Sequence, residues 1–333
     1  MTEQVGAALR VINGGVLATV QDRGRHGLQR YGVPRSGAMD QVAYAIANQL
    51  LDNPLDAAVL ELTAGGALLE VLAPTVLALT GGDLGALLDE EPLPLWMAVF
   101  VRAGAQLRLS GRTSDWGARA YLAMAGGIVV PQLLSSRSTY LPGGFGGFDG
   151  RPLRNGDLVL GDCANHDPLL LAGRRWPKDQ HPCYSATPTL RIMAGPHLEL
   201  FASDALNILC SHGWQLAGNS NRIGYRLEGP TLPYAVSKQI TSLGVLPGVI
   251  QLPPDGQPIL LMADAQPTGG YPIIGVVLQP DLPLAAQLLP GDQLRFHLVD
   301  ADEAHASRLD WQCWHEVVLE EDNTIYGLGW IGG

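Results

Sequence analysis

"RNGDLVLG", Arg154 to Gly161, contains the fold in miniature. Asn155-Gly156-Asp157 is a turn signal, because glycine enters positive φ freely and Asn and Asp hydrogen-bond their own backbone. The apolar residues that follow read as a short strand closed by Gly161. The same unit returns at "RAGAQLRL", Arg102 to Leu109, and at "PGDQLRFH", Pro290 to His297. In each a glycine turn leads into alternating apolar and polar residues, the period of a half-buried strand. Working outward, "VLALTGG", "RAYLAMAGGI", "PGVIQLP" and "PIIGVVLQ" are further short Val/Ile/Leu runs bounded by glycine or proline. With 41 glycines and 24 prolines, the chain reads as mainly β, with many short strands joined by tight turns. The three matching units read as equivalent parts of similar lobes.

A chain of 333 residues exceeds what one core usually holds, ~250–300 residues, so two lobes are expected. Residues 1–162 read as an N-terminal β-rich lobe. Residues 163–189, "CANHDPLLLAGRRWPKDQHPCYSATPT", have no clean period and read as a linker. Strand pattern resumes at "LRIMAGP", so 190–333 form a C-terminal β-barrel lobe. Few short helices are expected. Gly37 to Leu51 places Met39, Val42, Ala43, Ile46 and Leu50 on one face, with Ser36 as the N-cap and Asp52-Asn53-Pro54 as the stop. A second helix is expected around "PHLELFASDALNILC", with His197, Leu198, Leu200 and Phe201 near its start.

The composition excludes several functions. Net charge is -11 and only 16% of residues are charged. Such a chain lacks the clustered Lys and Arg that phosphate neutralisation needs, so no nucleic-acid partner is expected. The apolar runs are broken by Glu70, Pro74 and glycines, short of the ~18 residues of a membrane span. "MTEQVGAALRVINGG" has neither a basic start nor an apolar core, so it is no signal peptide. Cys163, Cys183, Cys210 and Cys313 form no C-x-x-C pair, and the eight histidines are scattered. Reduced thiols in a cytoplasm are the expectation, with no metal site.

Polar residues concentrate in four glycine-bearing segments. "TVQDRGRHGLQRYGVPRSGAMD", Thr19 to Asp40, holds four arginines with Gln21, Asp22 and Ser36. "SSRSTYLPGGFGGFDGRPLRNGD" carries Arg137 and Ser138 ahead of Gly143, Gly144, Gly146 and Gly147. "SNRIGYRLEGP" runs from Ser220 to Pro230, and "DAQPTGGYP" from Asp264 to Pro272. The glycine-rich loop lacks a Gly-Lys-Ser/Thr ending and does not join a strand to a helix, so it is neither a P-loop nor a dinucleotide fingerprint. Each feature also has a plain structural reading. Arg-Gly loops are often solvated turns, Asp22 and Asp40 cap turns, Tyr225 and Tyr271 serve as core rings, and Ser36 suits a cap better than a nucleophile. Four such loops in so lightly charged a chain point instead to a site carried on a β scaffold.

Taken in order, these four segments resemble the KipA-type carboxyltransferase family. That family includes the C subunit of bacterial ATP-dependent 5-oxoprolinase and half of the carboxyltransferase domain of urea carboxylase. Its members were formerly described as allophanate hydrolase subunit 2. The resemblance runs from about Leu9 to about Leu298. One departure is Pro267 in "QPTGGY", which removes a backbone donor where relatives have threonine. The resemblance implies two β-barrel-type lobes similar to cyclophilin. It also implies the A and B subunits of 5-oxoprolinase as partners, the B subunit KipI-like, and ATP-dependent opening of 5-oxoproline to L-glutamate. The alternatives are part of a biotin-dependent carboxyltransferase acting on urea or a related amide, and a KipA-like regulatory binding protein. The chain shows no nucleotide motif, so ATP is expected in the complex with its location open. It has no Met-Lys-Met sequence, so biotin is not attached to it.

Opening a lactam requires anion receptors for carboxylate and phosphate, and a base to guide water. Asp22 and Asp264 are the candidate bases or orienters. Arg25, Arg137, Arg222 and Arg226 are the candidate anion binders. Gln21, Ser36, Ser138, Tyr225, Gln251, Gln266, Thr268 and Tyr271 are candidate polar contacts. Gly143, Gly144, Gly269 and Gly270 would let a small amide or lactam, or a partner chain, approach the backbone. In an extended strand Arg222 and Arg226 would share one face over Gly224, with Tyr225 on the other. The plain alternative pairs one arginine with Glu228.

Overall fold

In the computed structural model, residues 5–162, 168–236 and 240–319 are described. The first lobe is built from two sheets. Its strands are β1 (Val5–Gly14), β2 (Leu17–Gln21), β3 (Val59–Thr63), β4 (Ala67–Val71), β5 (Thr75–Gly81) and β6 (Ala86–Leu88). They continue with β7 (Glu91–Pro92), β8 (Met97–Val101), β9 (Gln106–Leu109), β10 (Arg119–Met124) and β11 (Leu158–Asp162). One sheet runs β11-β1-β4-β9-β6-β7 and the other β2-β3-β10-β5-β8. Val11, Leu69 and Leu107 from the first sheet meet Leu60, Leu77 and Leu122 from the second in one buried core.

The second lobe contains β12 (Thr189–Ala194), β13 (Gly213–Leu216), β14 (Gly224–Glu228), β15 (Leu243–Gly244) and β16 (Val249–Gln251). It is completed by β17 (Ile259–Leu261), β18 (Thr268–Gly269), β19 (Ile273–Val277) and β20 (Gln293–Leu298). Seven of these close a barrel in the order β12-β19-β16-β17-β14-β13-β20, and β15 pairs with β18 as a small separate sheet. Trp214, Ile250, Leu260 and Phe296 fill the barrel. Closure removes sheet edges that would otherwise expose backbone donors. The chain is thus mainly β. The three turn-strand units of the sequence become β9, β11 and β20, each preceded by a glycine at positive φ: Gly104, Gly156 and Gly291.

The five-stranded sheet buries both faces, and strand alternation divides them. In β10, Ala120, Leu122 and Met124 enter the inter-sheet core. Tyr121 and Ala123 face the helix α1 (Gln41–Gln49) together with Tyr44 and Ile46. On this second face a polar row crosses the sheet: Thr19 opposes Glu61, Glu61 opposes Tyr121, and Tyr121 opposes Thr80. All four are at most 1% exposed. A buried polar row of this kind requires partners from outside the sheet.

Two expectations need correction. The helix begins at Gln41 with Asp40 as its cap, whose side chain accepts from the Ala43 N–H. Ser36 (φ 54) and Gly37 (φ 90) are both left-handed, so they cannot start a right-handed helix. The second helix is split: Leu198–Leu200 form one 3-10 turn, Phe201 is extended, and α2 covers only Ala205–Ser211. The described part of the linker stretch lies docked along the first lobe. Leu171 and Trp176 are buried there, Trp96 stacks on His181, and Trp116 stacks on Tyr184. A helix with no counterpart in the sequence reading, Ala301–Leu319, ends the described chain. No helix among the described residues is long and apolar enough to cross a membrane.

Candidate functional site

Two polar clusters arise where the four segments fold together. The first surrounds Asp22, just beyond the end of β2. The Asp22 carboxylate accepts from the Gly24 N–H at 2.8 Å, from the Ser136 hydroxyl at 2.7 Å, and from the Ser138 hydroxyl and Arg137 N–H. Four donors hold it in one orientation, so Asp22 ties the "QDRGR" loop to the strand end that opens the glycine loop. Gln21 belongs to the same junction. Its amide donates to the Thr19 hydroxyl and the Thr139 carbonyl, while its Oε1 is buried without a partner.

Arg25 is the exceptional residue of this cluster. It is 0% exposed, yet only one of its guanidinium nitrogens is bonded: Nη2 donates to the Ser138 carbonyl at 2.6 Å. Its Nε and Nη1 have no partner. Phe145 of the glycine loop covers the guanidinium, 4.8 Å from its ring centroid. Burial pulls the Arg25 pKa down, opposed by the negative charges of Asp22 and Asp264. Tyr140, at the base of the loop, is raised by burial and then by Asp264. The glycines make this fit possible. A Cβ on Gly146 would strike Arg25 Nη2, and one on Gly143 would strike the Tyr140 and Phe145 rings. Gly144 faces open space. The loop is therefore a wall moulded over an arginine.

The second cluster lies in the seam between the lobes. Arg222 is buried and bonded through all three guanidinium nitrogens. It holds Asp264 through two bonds of 2.9 and 3.1 Å, Glu61 at 2.5 Å and the Gly37 carbonyl at 2.6 Å. Burial opposes its charge, but Asp264 and Glu61 outweigh that and raise its pKa. Glu61 also accepts from the Met39 N–H and the Tyr121 hydroxyl. Arg119 donates to the Tyr225 hydroxyl and the Ala286 carbonyl. Asp40 accepts from Tyr184 of the docked linker at 2.5 Å and from Gln287 of the barrel lobe at 2.9 Å. Burial, partly offset by these donors, raises the Asp40 pKa.

The expected residues thus separate into groups. Gln21, Asp22, Arg25, Ser138, Gly143 and Gly144 come together. Asp264 joins them electrostatically while bound to Arg222. The Arg137 side chain turns away to Asp56. Gln251, Gly269 and Tyr271 meet at another place: the Gln251 amide reaches the Tyr271 carbonyl, and a Cβ on Gly269 would strike it. Thr268 and Gly270 are exposed beside them, with Gln266 half-buried. Pro267 keeps one backbone role, its carbonyl accepting from the Val245 N–H.

The shared face of Arg222 and Arg226 is not formed. Arg222 precedes β14 and points into the seam, whereas Arg226 is exposed on the barrel. Neither pairs with Glu228, and Tyr225 is the inward-facing residue, hydrogen-bonded to Arg119. Sequence reasoning missed Glu61, Arg119, Tyr121, Tyr184 and Gln287. A signal existed for Glu61, the one acid inside the apolar run "VLELT". Among the described residues no group of three or more His, Cys, Asp or Glu could hold a metal.

Residues 31–298 match the model of the carboxyltransferase domain, subdomain A and B. The chain belongs to this carboxyltransferase family. It is 37% identical over 315 residues to the C subunit of 5-oxoprolinase from Escherichia coli, a match that covers 92% of this chain and 96% of that protein. It is 36% identical to the Haemophilus influenzae protein of the same name, over 92% of this chain and 95% of that one. The Kluyveromyces lactis urea carboxylase structure matches 97% of the chain with a TM-score of 0.85 and 29% identity. This chain spans 30% of that much longer one. The carboxyltransferase fold here therefore comprises the pair of lobes together. Glu61, Arg119, Arg222 and Asp264 of the seam lie inside the matched residues, as does the glycine loop, whereas Asp22 and Arg25 lie just ahead of them.

Proposed function

We propose that this chain is the C subunit of an ATP-dependent 5-oxoprolinase, which opens 5-oxoproline to L-glutamate in the cytoplasm together with the A and B subunits, the latter KipI-like. The observation that carries this reading is similarity along nearly the full length of two proteins of that name. The chemistry of the Asp22 cluster agrees with it. Arg25 offers two unused guanidinium nitrogens in a buried place, where a charge-assisted bond to a carboxylate or oxyanion is strongest. Asp22 and Asp264 act as orienters, because donors already occupy both carboxylates. The loop over Arg25 must move for a substrate to reach it, and its glycines permit that.

ATP supplies the driving force by turning the inert lactam oxygen into a leaving group. The described residues do not fit a triphosphate on this chain alone: Arg25 presents one anion-sized position, and the glycine loop binds Arg25 rather than offering a ring of free amides. ATP is read as a cofactor of the assembled complex, with its location open. A second reading, carboxyl transfer to urea or a related amide, is favoured by the close fold match to urea carboxylase. It draws on the same need for an oxyanion receptor.

The test is ATP-dependent glutamate release from 5-oxoproline by the purified chain alone and mixed with the A and B subunits. The expected result is turnover only in the mixture. Turnover by the lone chain would overturn the division of labour. A mixture inactive on 5-oxoproline but active in carboxyl transfer to urea would replace the reading with the second.

A further inference from the structure

A pocket opens in the seam between the lobes. Four parts of the chain line it: Arg35, Ser36 and Met39 from the first lobe, Met262 from the barrel lobe, Leu282 from the short helix α3 (Leu282–Ala286), and Trp311 from the terminal helix. None of Asp22, Arg25, Arg222 and Asp264 lines it. Its cavity volume is about 50 Å3, and it opens to solvent at the mouth.

The wall is largely apolar, and two of its buried polar atoms are unsatisfied. Ser36 Oγ and Arg35 Nε are buried with no hydrogen-bond partner, and Ser36 is 2% exposed. Ser36 is held in its left-handed conformation by its own N–H, which donates to the Ala263 carbonyl at 3.0 Å. Local backbone strain of this kind persists only where the surroundings impose it. Among the described residues Arg35 has no acidic partner. Burial and then the neighbouring cation Arg23 lower its pKa. A half-buried guanidinium beside another cation, its Nε buried and unbonded and with a buried hydroxyl next to it, is a positive hole in an apolar wall. A partly desolvated, unpaired charge is costly, and an anion relieves the cost.

We propose that this seam pocket binds a compact organic carboxylate, its carboxylate held by the Arg35 guanidinium and Ser36 hydroxyl and its apolar body packed against Met39, Met262, Leu282 and Trp311. The pocket adjoins the Arg25 cluster, because the Arg25 N–H donates to the Arg35 carbonyl, but no side chain of that cluster lines it, and it does not depend on which reaction the complex performs. Its ligand touches both lobes and the terminal helix at once, so binding stabilises their joint arrangement by mass action.

The experiment is calorimetric titration of the full-length chain with benzoate, and with benzamide as a neutral molecule of the same shape. Benzoate should bind saturably at one site and raise the melting temperature, and benzamide should bind at least tenfold more weakly. Arg35→Gln should weaken benzoate binding at least tenfold. Leu282→Trp fills the pocket and leaves every charge in place, so it tests the site even if Arg35→Gln does not fold. It should abolish binding. Absence of saturable benzoate binding, equal binding of benzamide, or undiminished binding in either folded variant would overturn the proposal.

Discussion

Arg222 shows how one residue's partners decide its role. Its guanidinium spans Asp264, Glu61 and the Gly37 carbonyl, so three stretches distant in sequence meet on one side chain. A lysine could satisfy fewer of these partners, because its ammonium is a point and not a planar fork. Arg222→Lys should therefore lower stability by about 1.5–3 kcal/mol for each charge-assisted bond lost. Activity per folded complex should stay within severalfold of normal, since four of the five Arg222 N–H donors are bonded inside the protein. The check is urea denaturation beside an activity assay corrected for folded fraction. Normal stability with activity reduced tenfold or more would return Arg222 to the substrate. Arg25 is the opposite case, buried and underused, and nothing in "QDRGRHG" or "SNRIGYR" separates the two kinds of arginine. Both lie in polar, glycine-bearing loops, and only the tertiary partners distinguish them.

At the level of elements, the glycine loop and the first helix each lead to a test. Gly146 has φ 73, and a Cβ there would strike the Ser138 carbonyl and Arg25 Nη2. Gly144 is also left-handed, at φ 64, but faces open space. Gly144→Ala should cost only the ~1–2 kcal/mol of the left-handed conformation. Gly146→Ala should displace Arg25 as well, and reduce activity of the reconstituted complex at least tenfold beyond the Gly144 variant. Equal effects in the two would show that the loop does not position Arg25. At the helix, Asp40 is buried and its pKa is raised, so the folded state holds its proton more tightly than the unfolded state. Its contribution is then fully present below the unfolded pKa, ~3.9, and is lost as pH rises through the higher folded value. The melting temperature of the native chain, relative to Asp40→Asn, should fall as pH rises from about 4. A difference that is flat or rises with pH would contradict this. The sequence displayed the turn-strand units β9, β11 and β20 because glycine turns and strand alternation are local signals. It misplaced the helix start because Ser36 looks like a cap. What excludes it is a backbone bond to Ala263, in the other lobe.

Across the whole molecule, two cores of different origin share one seam. Met39 belongs to the first lobe in sequence but is packed in the barrel's core. Glu61, on β3, receives Arg222 from the barrel lobe, and Arg119, on β10, bonds to Tyr225 and Ala286 across the same boundary. The division into two β lobes was legible because composition and turn spacing repeat within each. The seam was not, because its residues are scattered singly through apolar strands. Arg119 in "GARAYLAM" looks like an ordinary surface charge on an alternating strand until both faces of that sheet prove buried, and Glu61, though it stands out as the one acid in "VLELT", gives no sign of its partners. This seam predicts joint unfolding. A boundary crossed by buried ion pairs makes one lobe's unfolding leave charges stranded in the other, and breaking such a pair costs about 3–5 kcal/mol. Scanning calorimetry of the native chain should therefore show one transition. Glu61→Gln removes the negative charge that Arg222 and Arg119 both face, at 2.5 and 3.7 Å. It keeps the size and one acceptor, so each lobe's own core is preserved. In this variant the transition should move to lower temperature and broaden or divide, with the barrel, whose sheet is closed, melting last. Two transitions in the native chain, or a single unshifted one in Glu61→Gln, would show that the lobes meet without depending on each other.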